Sequence, residues 1–194
     1  NGANLIITHD HGSSLYARRP WDREASIGNK QFDFKRVEDN LLRIHAANPK
    51  LRVILRVGCD PDNDWLEKHP KSILLNEQGE RGIARASGFK GFGHTINPDK
   101  QERWAWTYAS EEYQQYVIEG LIALASFLKN SPAGKIITGF SLGGGHDGQF
   151  VQWKYGDEQS GHADYSESFQ EALRVWLVEK YGNDAAIQAA WNET

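Results

Sequence analysis

Three short apolar runs constrain this chain more than any other feature: NLIITHD at residues 4–10, RVILRVG at 52–58 and KIITGFSL at 135–142. Each is rich in β-branched residues and apolar at successive positions. A strand of that kind is buried on both faces, as in a parallel sheet covered by helices. The intervening segments supply the helices. Phe34, Val37, Leu41 and Ile44 fall on one helical face, with Asp33 placed to cap it and Asn48-Pro49 to stop it. Ser110 is a second cap, with Glu111 and Glu112 in the first turn. Tyr113, Val117, Leu121, Leu124 and Leu128 form the buried stripe of that helix. A third helix runs from Asp164 through Phe169, Leu173, Trp176 and Leu177 to Tyr181 and stops at Gly182, and NDAAIQAAW begins another. The segment from Asp60 to Ser110 has no sustained period and reads as a long loop. Loops of that length in a compact domain are usually functional, so it is expected to carry part of the site.

Strand alternating with helix leaves a doubly wound sheet or a (β/α)8 barrel. A barrel needs about 250 residues, so 194 residues supply a continuous portion of one. The whole of 1–194 is read as one partial domain. So few strands would leave sheet edges and apolar faces open, which predicts self-association or pairing with the remainder of the barrel.

Composition narrows the partners. With 22 basic and 26 acidic side chains the net charge is -4, and no basic stripe interleaved with aromatics offers nucleic acid a track. No apolar run approaches the roughly 20 residues that span a bilayer, so no membrane partner is expected. One cysteine, Cys59, excludes an internal disulfide framework and a cysteine-based zinc cluster. His9, Asp10 and His11 lie together, but successive residues of an extended chain alternate direction, so neither a metal nor a cofactor is expected. The chain starts at Asn1 and contains no methionine, which is not expected of a complete translation product. It is expected to be soluble or the processed form of an exported protein. Seven tryptophans and seven tyrosines suit a site that stacks the apolar faces of sugar rings.

The stretch GFSLGGGHDGQ, residues 139–149, admits two chemistries. In one, Ser141 in G-x-S-x-G is the nucleophile of a serine esterase on an α/β-hydrolase elbow. That elbow must run straight into a helix. The residues that follow, GHDGQFVQWKYGDEQSGHADYS, hold further glycines and no helical period, and only His146 and His162 remain as triad histidines.

The other chemistry comes from resemblance. FDFKRVEDNLLRIHAANPKLRVILRV, DWLEKHP, the block from YASEEY to GGGHDGQF, and DYSESFQEALRVWLVEKYGNDAAIQAAW resemble, in order, segments of glycoside hydrolase family 42 β-galactosidases. The resemblance implies a retaining (β/α)8 glycosidase acting on an oligosaccharide or other β-glycoside. It makes this chain about the second to fourth strands with their helices, and KIITGFSL the fourth. It also implies that the loop after that strand carries the general acid/base, a glutamate in the family. Here Gly144, Gly145, His146 and Gly148 match, and Gln149 stands in the glutamate's place.

Glutamine keeps the shape and can hydrogen-bond a glycosidic oxygen, but has no proton of usable acidity. The exchange was introduced to trap a substrate complex, or is natural in a sugar-binding relative without turnover, or the match is offset by a residue or two and the acid is a neighbour such as Asp147, Asp157 or Glu158. Retention requires two carboxyl groups about 5 to 5.5 Å apart. The family's nucleophile lies on its seventh strand, so this polypeptide alone is expected not to hydrolyse a glycoside. The resemblance further implies that Arg56 bonds the site carboxylates, the alternative being a salt bridge beneath a loop. Asp60 is an acid for a sugar hydroxyl or a turn residue, and Trp65 a stacking platform or a loop anchor. His146 orients the group at 149 or binds a hydroxyl. Asp147 is an acid on the same pocket side, and Trp153 walls a subsite or packs in the core.

Overall fold

The computed structural model describes residues 5–8, 34–61, 63–82, 104–144 and 163–192. Their contacts group into two compact units. The first holds residues 5–8, 34–60 and 115–144; the second holds 61, 63–82, 104–114 and 163–192.

In the first unit the three apolar runs form the expected strands β1 (Leu5–Thr8), β2 (Arg52–Gly58) and β3 (Ile137–Gly143). They make one parallel sheet in the order β1-β2-β3. β2 starts and ends where the sequence places it. Helix α1 (Lys35–Ala47) ends before Asn48-Pro49 as expected, because the residue before a proline is pushed out of the helical region. At its start Phe34 occupies the cap position with no side-chain bond, and Asp33 lies outside the described residues. Helix α3 (Glu111–Lys129) follows Ser110, whose Oγ accepts from the Tyr113 N–H at 3.2 Å. β3 begins two residues later than expected, because Lys135 and Ile136 close a 3-10 turn, Pro132–Ile136. In that turn a methyl group on Gly134 would overlap the Leu128 carbonyl oxygen, so only glycine lets the chain pass α3 so closely.

The core lies on one face of this sheet. Val53, Leu55, Val57 and Cys59, alternate residues of β2 and its extension, pack with Phe34, Val37 and Leu41 of the α1 segment and Leu124 and Leu128 of α3. Burying each of these aliphatic side chains stabilises the fold by about 1.5 to 3 kcal/mol. Ser131 ties the layers together by donating its hydroxyl to Glu38 Oε1 at 2.6 Å. That bond, and the Lys35 ammonium beside it, hold the Glu38 carboxyl below its ordinary range.

The second unit corrects the long-loop reading of 60–110. Its described residues contain helix α2 (Asn63–Lys68), a 3-10 turn (Pro70–Ser72) and antiparallel bridges Ile73–Trp106 and Leu75–Arg81. A six-residue helix is too short to show a period, and the bridges join residues far apart in sequence, where local patterning is blind. The core here is aromatic. Trp106 is fully buried and meets Tyr108 edge-on at 5.9 Å and Tyr113 at 6.0 Å. Helix α4 (Glu167–Tyr181) starts three residues later than expected: Ser166 is the cap, and Asp164 Oδ1 instead accepts the Ser166 N–H at 2.8 Å. Gly182, at φ 82°, terminates it in a conformation that disfavours any side chain. Asn183 caps α5 (Asp184–Trp191). Among the described residues no helix is long and apolar enough to cross a membrane.

Candidate functional site

The side-chain alternation of β2 assigns its two faces different work. Val53, Leu55 and Val57 point to the helices, so Arg56 belongs to the opposite face. Across the ladder Arg56 is the Cα partner of Ser141, and Leu55 that of Phe140. Ser141 therefore shares that opposite face with Arg56, while Phe140 and Leu142 share the helix side. The main chain continues this pairing past the strand, with the Cys59 N–H donating to the Gly143 carbonyl at 2.7 Å. Asp60 follows at once, half-buried. The first unit thus brings Arg56, Ser141 and Asp60 to the carboxyl ends of two adjacent parallel strands, where parallel α/β sheets place their ligands.

Cys59 belongs to the other side. Burial raises its thiol pKa to about 12, with the Asp60 carboxylate adding to the shift. Burial of this kind disfavours the thiolate that a nucleophile or a metal ligand requires. The described residues also form an apolar groove of about 340 Å³ beside α3, lined by Leu121, Leu124, Ala125, Phe140 and Leu142. It offers no polar side chain to a hydroxyl-rich ligand, and it lies on the helix side, away from Arg56.

Ser141 sits inside β3, with Leu142 and Gly143 still paired beyond it to Val57 and Gly58. A nucleophile elbow would instead place the serine on a sharp turn at the strand end.

Trp65 lies on α2 in the second unit. It is half-buried and stacks on His69, with ring centroids 4.1 Å apart and planes 20° from parallel. His69 Nδ1 is in turn 3.3 Å from Glu112 Oε2 in the first turn of α3. Neither His69 nor Glu112 was a candidate from sequence. The readable signal was the spacing of Trp65 and His69, four residues apart and hence on one helical face. Gln149, His146, Asp147 and Trp153 lie outside the described residues, as do His9, Asp10 and His11. Among the described residues no group of His, Cys, Asp and Glu could hold a metal ion.

Two comparisons with known proteins bear on this arrangement. The curated protein named Beta-galactosidase from Arthrobacter sp is 24% identical over 164 residues, 83% of this chain. The aligned stretch spans only 19% of that protein's length. The sequence model of the glycoside hydrolase family 42, described as Beta-galactosidase, matches residues 28–194. That match takes in α1, β2, β3 and the GGHDGQ block after β3. The chain belongs to the glycoside hydrolase family 42, the beta-galactosidase family.

Proposed function

We propose that this chain is the part of a (β/α)8 glycosidase barrel that carries its second to fourth strands, and that Gln149 stands at the general acid/base position of a β-galactoside site. The observation that carries this is the family match over residues 28–194, a range that includes the loop that follows β3. The sheet order supports it, since three sequential parallel strands side by side are what a segment of a barrel requires. Arg56 and Asp60 at the end of β2 are the groups for site carboxylates and sugar hydroxyls. Trp65, His146, Asp147 and Trp153 are the other groups this reading assigns to sugar contacts.

In a retaining mechanism one carboxylic acid protonates the leaving oxygen while a carboxylate attacks the anomeric carbon; the first group then deprotonates the incoming water. A carboxamide at 149 accepts and donates hydrogen bonds but performs neither proton transfer, which typically contributes about 10² to 10⁴ in rate. Turnover is therefore blocked with binding retained, and a β-glycoside held without hydrolysis is the expected behaviour. Gln149→Glu, made in a protein that contains the whole barrel, tests this. A rise of at least about 10² in hydrolysis of an aryl β-galactoside is expected. Measurable sugar affinity with no activity after that change would favour a sugar-binding protein without turnover, the reading that Gln149 itself makes the close competitor.

A further inference from the structure

Trp65 is one of the aromatic groups assigned above to a sugar, and α2 holds it in an unusual way. A half-buried indole on a six-residue helix has two side-chain torsions to lose before it presents a fixed face. The helix itself is tied at both ends. Asn63 Oδ1 accepts the Trp104 N–H at 3.0 Å at one end, and Leu66 is fully buried one residue after Trp65. At the other end the His69 N–H bonds the Trp65 carbonyl at 3.1 Å, and Pro70 then opens the 3-10 turn. That turn is fastened to α3, because the hydroxyls of Ser72 and Ser110 lie 2.6 Å apart and Ser110 caps α3. Thr107 N–H adds a bond to the Ser72 carbonyl at 2.9 Å.

His69 therefore stands on a stiff mount with its imidazole over Trp65, and Glu112 Oε2 lies 3.3 Å from Nδ1 of that ring, an ion pair when the imidazole is protonated. Glu112 is itself in the first turn of α3, where the helix dipole favours a carboxylate. We infer that His69, held by Glu112, is a positioning residue that sets the orientation of the Trp65 indole for stacking on a sugar ring. The inference rests on the reading of Trp65 as a sugar-facing group, but the orientation itself can be measured without any sugar.

The near-UV circular dichroism that Trp65 contributes is the difference between the natural chain and Trp65→Phe, and it reports a fixed indole. His69→Ala is expected to remove at least half of that difference while leaving the far-UV spectrum unchanged. His69→Phe, which keeps a stacking ring, should preserve it. Glu112→Ala should reduce it, and Glu112→Gln, which keeps a polar oxygen within reach of Nδ1, should reduce it less. Fluorescence titration with isopropyl β-thiogalactoside should show affinity about fivefold weaker in Trp65→Ala and in His69→Ala alike. A Trp65 signal unchanged in both His69→Ala and Glu112→Ala overturns the inference. If His69→Ala does not fold, the Glu112 pair decides, since that side chain is 52% exposed. Loss of the signal with thiogalactoside binding absent, or indifferent to Trp65→Ala, leaves the positioning intact and removes the sugar-facing reading of Trp65.

Discussion

Arg56 on β2 and Ser141 on β3 are Cα partners in the parallel ladder, side by side on the sheet face opposite the described helices. The pairing places a permanent positive charge next to a hydroxyl, in a strand whose backbone is held on past the serine. The ladder holds the Ser141 backbone inside the strand rather than on a turn. Ser141→Ala is expected to change stability by no more than about 0.5 kcal/mol. A fluorophosphonate probe should leave the folded protein unlabelled, and stoichiometric labelling of Ser141 by mass spectrometry would favour the esterase reading.

Cys59 makes a second prediction. It is fully buried in the core under β2, and its thiol pKa is pushed up to about 12 by burial and by Asp60. The reactive species is the thiolate, so at pH 8 Ellman's reagent should not modify the folded chain over minutes. In denaturant the same cysteine should react fully. Rapid reaction under native conditions would place Cys59 outside the core.

Ser110 joins two functions in one hydroxyl: it accepts the Tyr113 N–H as the α3 cap and meets Ser72 at 2.6 Å, with both residues buried. Ser110→Ala should cost about 1 to 3 kcal/mol, the loss of a cap together with a stranded Ser72 hydroxyl. Because both effects run through the same contact, Ser72→Ala with Ser110→Ala should cost less than the sum of the two alone. Urea midpoints of the four proteins test this, and strict additivity would mean the hydroxyls do not interact.

Acid should act through Glu38. Its pKa is depressed in the folded chain by the Ser131 hydroxyl and then by Lys35, whose own pKa is correspondingly raised by Asp39 and Glu38. A depressed folded value means the stabilisation is present above the unfolded value, near 4.5, and is lost as pH falls through the folded value. Glu38→Gln should therefore be less stable than the natural chain at pH 7. The difference should shrink as the pH is lowered below 4.5. A constant difference across that range in thermal melts would assign the effect to packing rather than charge.

Much of the secondary structure was legible because its signals are local. The β-branched apolar run within residues 52–58 located β2 to the residue, Asn48-Pro49 marked the end of α1, and Ser110 and Gly182 marked the start of α3 and the end of α4. Local signals also misled: Asp164 has the chemistry of a helix cap, yet it serves the turn before α4, and Lys135 and Ile136 extend an apolar run but are spent on a 3-10 turn.

The parallel α/β character of the chain, its strands and the stripes of its main helices follow from sequence alone, since each depends on spacing within one element. That Arg56 meets Ser141, that Trp65 stacks on a histidine held by Glu112, and that residues 73–82 pair with one another and with 104–107 came only from the tertiary structure. The physical reason is the same in each case. Ladder register and cross-element contacts join residues about four to 85 positions apart, as the separations of Trp65 from His69 and of Arg56 from Ser141 illustrate. The choice among such pairings is made by the packing of whole faces, which periodicity within a single segment does not encode.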